Sequence, residues 1–122
     1  MRQFGDCLLF MGGTTLAVSY HEQALAINQA IGNKAGEATN LGNLGNVYYS
    51  WGEYNTAVSY FEQALAINQA IGNKAGEATN LGNLGNVYFL LGDYDTAVSY
   101  YEQALAINQA IGNKADEAIN SF

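Results

Sequence analysis

The 122-residue chain contains no proline, so nothing imposes a fixed φ inside a helix and long helical runs are open to it. Charge is scarce too. Asp, Glu, Lys and Arg make up 12% of the residues, about half the usual share. Basic residues are scarcest of all, with only Arg2, Lys34, Lys74 and Lys114 set against 11 acids, for a net charge of −7. Nucleic-acid binding relies on cations that neutralise phosphates, and four scattered cations do not supply it. An anionic membrane surface is disfavoured for the same reason. Cys7 is the single cysteine, which excludes an internal disulfide and a thiolate metal site and fits a reducing compartment. Residues 1–11 are apolar enough to suggest a leader, but Gly5 and Asp6 interrupt the run. No stretch approaches the ~18 apolar residues needed to span a bilayer. The expectation is a cytoplasmic protein with no membrane or nucleic-acid partner.

What the chain has in abundance is itself. Ala17 to Tyr48 reads AVSYHEQALAINQAIGNKAGEATNLGNLGNVY, and Ala57 to Tyr88 repeats it with Phe61 in place of His21 as the one change. A third copy starts at Ala97, so the offset is 40 residues each time. Such a period suits one supersecondary unit stacked on copies of itself.

Within the unit the apolar spacing is helical. Ala57, Val58, Phe61, Ala64, Leu65 and Ile71 fall on one face of a 3.6-residue helix, as do Ala38, Leu41, Leu44, Gly45 and Tyr48. Gly52 stands between these two stretches, where a tight helix-to-helix turn needs a permissive residue. Gly72 and Asn73 close the unit, Gly suiting a helix end and Asn the cap of the next helix. Glu77 then falls in a first turn, where the helix dipole favours negative charge. The pattern predicts helices near 2–11, 14–31, 35–51, 54–71, 75–91 and 94–111, with a stub at 115–121.

These residues resemble the tetratricopeptide repeat in its longer, 40-residue form. The first helix of that repeat carries a large residue, a Leu-Gly pair and a Tyr, matched by Leu41, Leu44, Gly45 and Tyr48 and again by Leu81, Leu84, Gly85 and Tyr88. Its turn Gly and following Tyr match Gly52 and Tyr54, then Gly92 and Tyr94. Its small–aromatic–small second helix matches Ala57, Phe61 and Ala64, then Ala97, Tyr101 and Ala104. Gln29, Gln69 and Gln109 stand where the family has proline, a variant similar to the repeats of Pins-type adaptors and of bacterial arrays, cyanobacterial ones included. The first copy departs further, with Gly13 and Thr14 where Glu53 and Tyr54 stand later.

The resemblance implies an all-α fold, a right-handed α-solenoid of stacked antiparallel helical hairpins, with about three hairpins and a C-terminal helical stub. It spans 1–122 as a single domain, with repeats at about 1–33 (degenerate), 34–73 and 74–113 and a truncated fourth at 114–122. It also implies a non-catalytic scaffold that binds a protein, holding an extended peptide in the concave groove lined by the first helices.

On that stripe fall Asn43, Asn46, Tyr49 and Ser50, then Asn83, Asn86, Phe89 and Leu90, with Asp6, Leu9 and Phe10 as the degraded equivalents. An asparagine amide both donates and accepts, so a column of them can grip a peptide backbone of any sequence. Gly42 and Gly82 would leave the groove floor bare. The competing reading has the asparagines bonding neighbouring helices and the glycines serving helix packing. Without Lys or Arg in the groove, a basic or apolar segment suits it better than a terminal carboxylate.

Nothing points to an enzyme, a cofactor or a metal. His21 holds the place of Phe61 and Tyr101, which makes it a half-buried packing residue, and no triad accompanies it. Asp93 and Asp95 lack the oxygen-rich loop of a calcium site. Trp51 reads as packing. Apolar residues near both ends raise an alternative: a structural, self-assembling module that stacks end to end or swaps hairpins, as a natural fragment or an engineered array.

Overall fold

A computed structural model of the chain describes the backbone of residues 2–120 and the side-chain surroundings of residues 15–112. Five helices follow in order: α1 (Arg2–Ile31), α2 (Lys34–Ser50), α3 (Tyr54–Ile71), α4 (Lys74–Leu90) and α5 (Tyr94–Asn120). There is no strand among the described residues. Each helix packs on its neighbour in sequence, α2 most extensively on α3 and α4 on α5. The all-α solenoid is therefore the observed architecture.

Two kinds of turn alternate, and glycine closes both. Gly52 and Gly92 end α2 and α4 at φ +78° and +84°, while Gly32 and Gly72 end α1 and α3 at +74° and +75°. A side chain at such φ is strained, and glycine is free of that cost. Just beyond, the amide of Glu53 bonds the carbonyl of Tyr48 at 2.9 Å and that of Asn73 bonds Asn68 at 2.9 Å. Both are the wrap-back of a Schellman end, which satisfies a carbonyl the helix would otherwise orphan. The next helix is capped at once, as Asn33 accepts from the Gly36 amide at 3.0 Å and Asn73 from Gly76 at 3.1 Å. Asp93 does the same for α5 through the Thr96 amide at 3.3 Å, whereas Glu53 makes no side-chain cap.

The core is aliphatic and aromatic, built from Ala57, Phe61, Leu84 and Val87 with Leu44 and Leu81 beside them. Phe61 is the largest fully buried side chain among the described residues. Around it Tyr48 stacks on Tyr60 with centroids 5.5 Å apart, and Tyr88 on Tyr100 at 5.6 Å. Over the α2–α3 turn Tyr54 meets Tyr49 edge-on at 5.9 Å, and over the α4–α5 turn Tyr94 meets Phe89 at 5.2 Å.

Helix boundaries differ from the sequence expectation at two places. The separate helices expected at 2–11 and 14–31 are one helix, α1, which crosses Gly12 and Gly13 unbroken. Glycine permits a turn without enforcing one. Thr14 stands in the place of Tyr54, so the tyrosine of the later clasps is missing from this copy of the sequence.

At the other end α5 runs through Gly112 to Asn120, where a turn and a separate stub were expected. The pentapeptide Ile-Gly-Asn-Lys-Ala is identical at 31–35, 71–75 and 111–115, yet only the first two copies turn. The difference follows four residues after the glycine. A Cβ at Gly36 would lie 2.7 Å from the Asn33 amide nitrogen, and one at Gly76 would lie 2.6 Å from that of Asn73. Copy three has Asp116 at this place, where the two copies that turn have a glycine set against the side chains of the cap and latch asparagines.

Candidate functional site

α2 and α4 carry the same Asn-Leu-Gly-Asn-Leu-Gly-Asn-Val-Tyr run, and the residues expected to face a ligand divide into two groups. The first lines a cavity of about 210 Å³. Its wall from α2 is Ala38, Gly42, Asn43 and Asn46, and its wall from α4 includes Gly76, Asn80 and Asn83. A smaller hollow of about 40 Å³ adjoins it, lined by Asn46, Tyr49, Phe61, Asn83 and Asn86. Five of the eight expected residues, namely Asn43, Asn46, Tyr49, Asn83 and Asn86, thus line two hollows that share Asn46 and Asn83. Gly42 lies in the floor, with only the Asn80 amide near its missing Cβ, at 3.8 Å.

The second group stands apart. Ser50 donates its hydroxyl to its own helix, at the Val47 carbonyl. Phe89 and Leu90 are half exposed and line neither hollow, Phe89 having its ring against Tyr94. Asp6, Leu9, Phe10 and Cys7 lie outside the described side chains.

Asparagine serves two purposes here, and which one depends on position. Asn43, Asn46 and Asn83 make no side-chain hydrogen bond among the described residues, so their amides remain available in the hollow. Asn68 and Asn80 are buried and spent on structure. The Asn68 amide donates to Asn80 Oδ1 at 2.6 Å, and Asn73 donates to Asn68 Oδ1 at 3.2 Å. Asn28 and Asn40 repeat the pair at 2.6 Å. This latch ties the end of one helix pair to the next helix. Sequence reading assigned Asn73 its capping role and missed the latch, although the constant 12-residue spacing of 28/40 and 68/80 was there to be read.

Glu37 and Glu77, also buried, each meet the lysine three residues before, at 3.3 and 3.2 Å. Gln69, at the place of the family proline, donates to Glu77 at 3.5 Å. Lys34 and Lys74 are thus each paired with an acid of their own helix, and the hollow itself is lined without Lys or Arg.

Candidate chemistry elsewhere is sparse. His21 is half-buried. Trp51 lies edge-on to Tyr48 at 5.3 Å as a packing residue, with its indole N–H lacking an acceptor among the described residues. Among the described residues no three His, Cys, Asp or Glu side chains gather as a metal would need. No described helix is long and apolar enough to cross a membrane.

Known proteins agree with this geometry. No curated protein matches the chain. The crystal structure of the TPR domain of Arabidopsis FLU superposes with a TM-score of 0.75 at 23% identity, covering 88% of this chain and 91% of that one. BtubC from P. vanneervenii gives a TM-score of 0.77 at 29% identity over 86% of this chain, and the apo form of RapI gives 0.76 at 21% over 91%. The match spans only 44% of BtubC and 40% of RapI. The family model described as tetratricopeptide repeat matches residues 1–70 and 52–110. On sequence and fold together, the chain belongs to the tetratricopeptide repeat family.

Proposed function

We propose that this chain is a non-catalytic protein-interaction module that holds an extended peptide segment against α2 and α4. Proteins of this repeat family generally mediate protein–protein contact. One observation carries the finer reading: Asn43, Asn46 and Asn83 line one open hollow with amides that the described structure leaves unused. A carboxamide offers two donors and an acceptor, and so matches the N–H and C=O of a backbone without regard to side chain. Gly42 lets that backbone come close. An acidic chain with a cation-free groove favours a basic or apolar segment, since its field draws in positive charge. Titrating a library of extended peptides into the native chain and into Asn46→Ala/Asn86→Ala tests this. Affinity should fall in the double variant, and unchanged affinity rejects the asparagine grip.

A separate observation favours a second reading, a self-assembling module. Val98 and Leu105 on α5 are 50% and 55% exposed, while their counterparts Val58 and Leu65 on α3 pack against the core. Tyr20 on α1 is 62% exposed, whereas Tyr60 and Tyr100 stack on Tyr48 and Tyr88 of the helix before them. Such faces would join copies end to end or through exchanged hairpins. Light scattering across a concentration series should then show a dimer or larger, lost in Val98→Lys/Leu105→Lys; a monomer throughout rejects it.

A further inference from the structure

Asn46 and Asn86 hold the same place on α2 and α4, but the rings beside them differ by one oxygen. Phe61 projects from α3 and Tyr101 from α5. Both rings lie in the same position, since a Cβ at Gly45 would come 2.6 Å from Phe61 Cε1 and one at Gly85 would come 2.6 Å from Tyr101 Cε1. The two rings thus differ by the hydroxyl, and Tyr101 is 37% exposed where Phe61 is 1%. That hydroxyl donates to Asn86 Oδ1. Phe61 has nothing to donate, and the Asn46 carboxamide makes no such bond among the described residues.

We infer that Tyr101 makes the groove directional by fixing what Asn86 can grip; this rests on the peptide-binding reading above. The phenol takes one of the two lone pairs on that oxygen and fixes the carboxamide, so the NH₂ group is the stronger offer to a peptide and takes a backbone carbonyl. Asn46, without that bond, is open to both a carbonyl and an N–H. A bound segment must then offer a backbone N–H opposite Asn46, while the residue opposite Asn86 needs none. Proline or an N-methylated residue fits the second position and not the first. Two copies of one sequence thereby become unlike subsites, which sets the direction in which the segment lies.

The test has one arm without ligand and one with it. In the free chain, the side-chain carboxamide ¹³C and ¹⁵N resonances of Asn86 should move on Tyr101→Phe toward those of Asn46. Phe61→Tyr should move Asn46 toward Asn86. Phe61 already fills the equivalent place, so Tyr101→Phe keeps a ring the fold accepts. The second arm takes a peptide selected on the intact chain from a random library and scans its backbone with N-methyl groups by calorimetry. One methyl should weaken binding about tenfold in the native chain, the loss of one hydrogen bond that leaves its partner unmet. A second methyl should be silent in the native chain and become costly in Tyr101→Phe. Unmoved Asn86 resonances overturn the inference, as does a groove-bound peptide whose methylation profile is the same in both chains. Failure to select any groove-bound peptide overturns it together with the reading beneath it.

Discussion

The ring of Phe61 lies directly on Gly45, close enough that a methyl group there would sit 2.6 Å from the ring edge. The glycine is the socket and the aromatic the knob that joins α2 to α3. Tyr101 and Gly85 repeat the arrangement between α4 and α5. The Leu-Gly pair is thus a packing device, while Gly42 and Gly82, three residues earlier in the same helices, stand clear of close contact.

That contrast predicts opposite signs for one substitution. Gly82→Ala meets nothing within 4 Å and should stabilise the chain by up to about 1 kcal/mol through helix propensity. Gly45→Ala forces Phe61, 1% exposed, out of its socket and should cost about 1–3 kcal/mol despite the same propensity gain. Gly85→Ala should cost less, because Tyr101 is 37% exposed and has room to move. Urea denaturation of the three variants gives the order directly.

The asparagine latch should matter as much as the apolar core. Asn80→Ala removes the acceptor of the Asn68 amide and leaves a buried donor unmet, at a cost of about 1–3 kcal/mol. Asn83→Ala, one turn on and facing the open hollow, should change stability by less than about 0.5 kcal/mol. Equal losses in thermal melts would contradict the division between structural and available asparagines.

Stability should also fall at alkaline pH through two tyrosines. Burial pushes the Tyr60 hydroxyl above the ordinary phenol value of 10.0, with Tyr48 and Glu22 adding to it. Tyr100 is raised in the same way by burial, then by Tyr88 and Glu62. Each folded hydroxyl holds its proton more tightly than the unfolded one. The associated stability is fully present below the unfolded pKa of 10.0 and is lost as pH rises through the higher folded value. Urea midpoints from about pH 9 to 11.5 should drop less steeply in Tyr60→Phe/Tyr100→Phe than in the native chain.

Asp116 is the first residue after Gly112 at which copy three departs from the two copies that turn. Asp116→Gly restores the glycine found at 36 and 76, and should let Gly112 adopt the positive φ of Gly32 and Gly72. Backbone chemical shifts and N–H couplings at Gly112 report that change. A Gly112 that stays helical would mean that the turn depends on the helix that follows it.

Most of this architecture was written in plain view. A 40-residue period with helical spacing, glycine at each turn and Asn at the cap left little room for another fold, and α2, α3 and α4 begin and end within a residue of their expected limits. The departures arise where a local signal depends on a distant contact. Gly12 and Gly112 look like turn residues, but a glycine bends the chain only if the flanking groups can close the turn. Thr14 stands where the later copies have tyrosine, and Asp116 where the earlier ones have glycine. At the candidate site, periodicity placed Asn43, Asn46, Asn83 and Asn86 on one stripe and gave Asn40 and Asn80 no role. It could not show that Asn80 is 4% exposed and bonded to Asn68, while Asn83 stands beside the hollow. Nor could it foresee the bond of Tyr101 to Asn86, since a Phe-to-Tyr change between copies reads as a conservative swap until the ring is seen against its partner.

The measurement closest to the heart of this account is an amide and side-chain NMR titration of the intact chain with a peptide selected from a random library. Resonances of Gly42, Asn43, Asn46, Asn83 and Asn86 should shift together and saturate at one affinity, with Val98 and Leu105 on α5 left in place. Shifts confined to α5, with the asparagine amides unmoved, would contradict it.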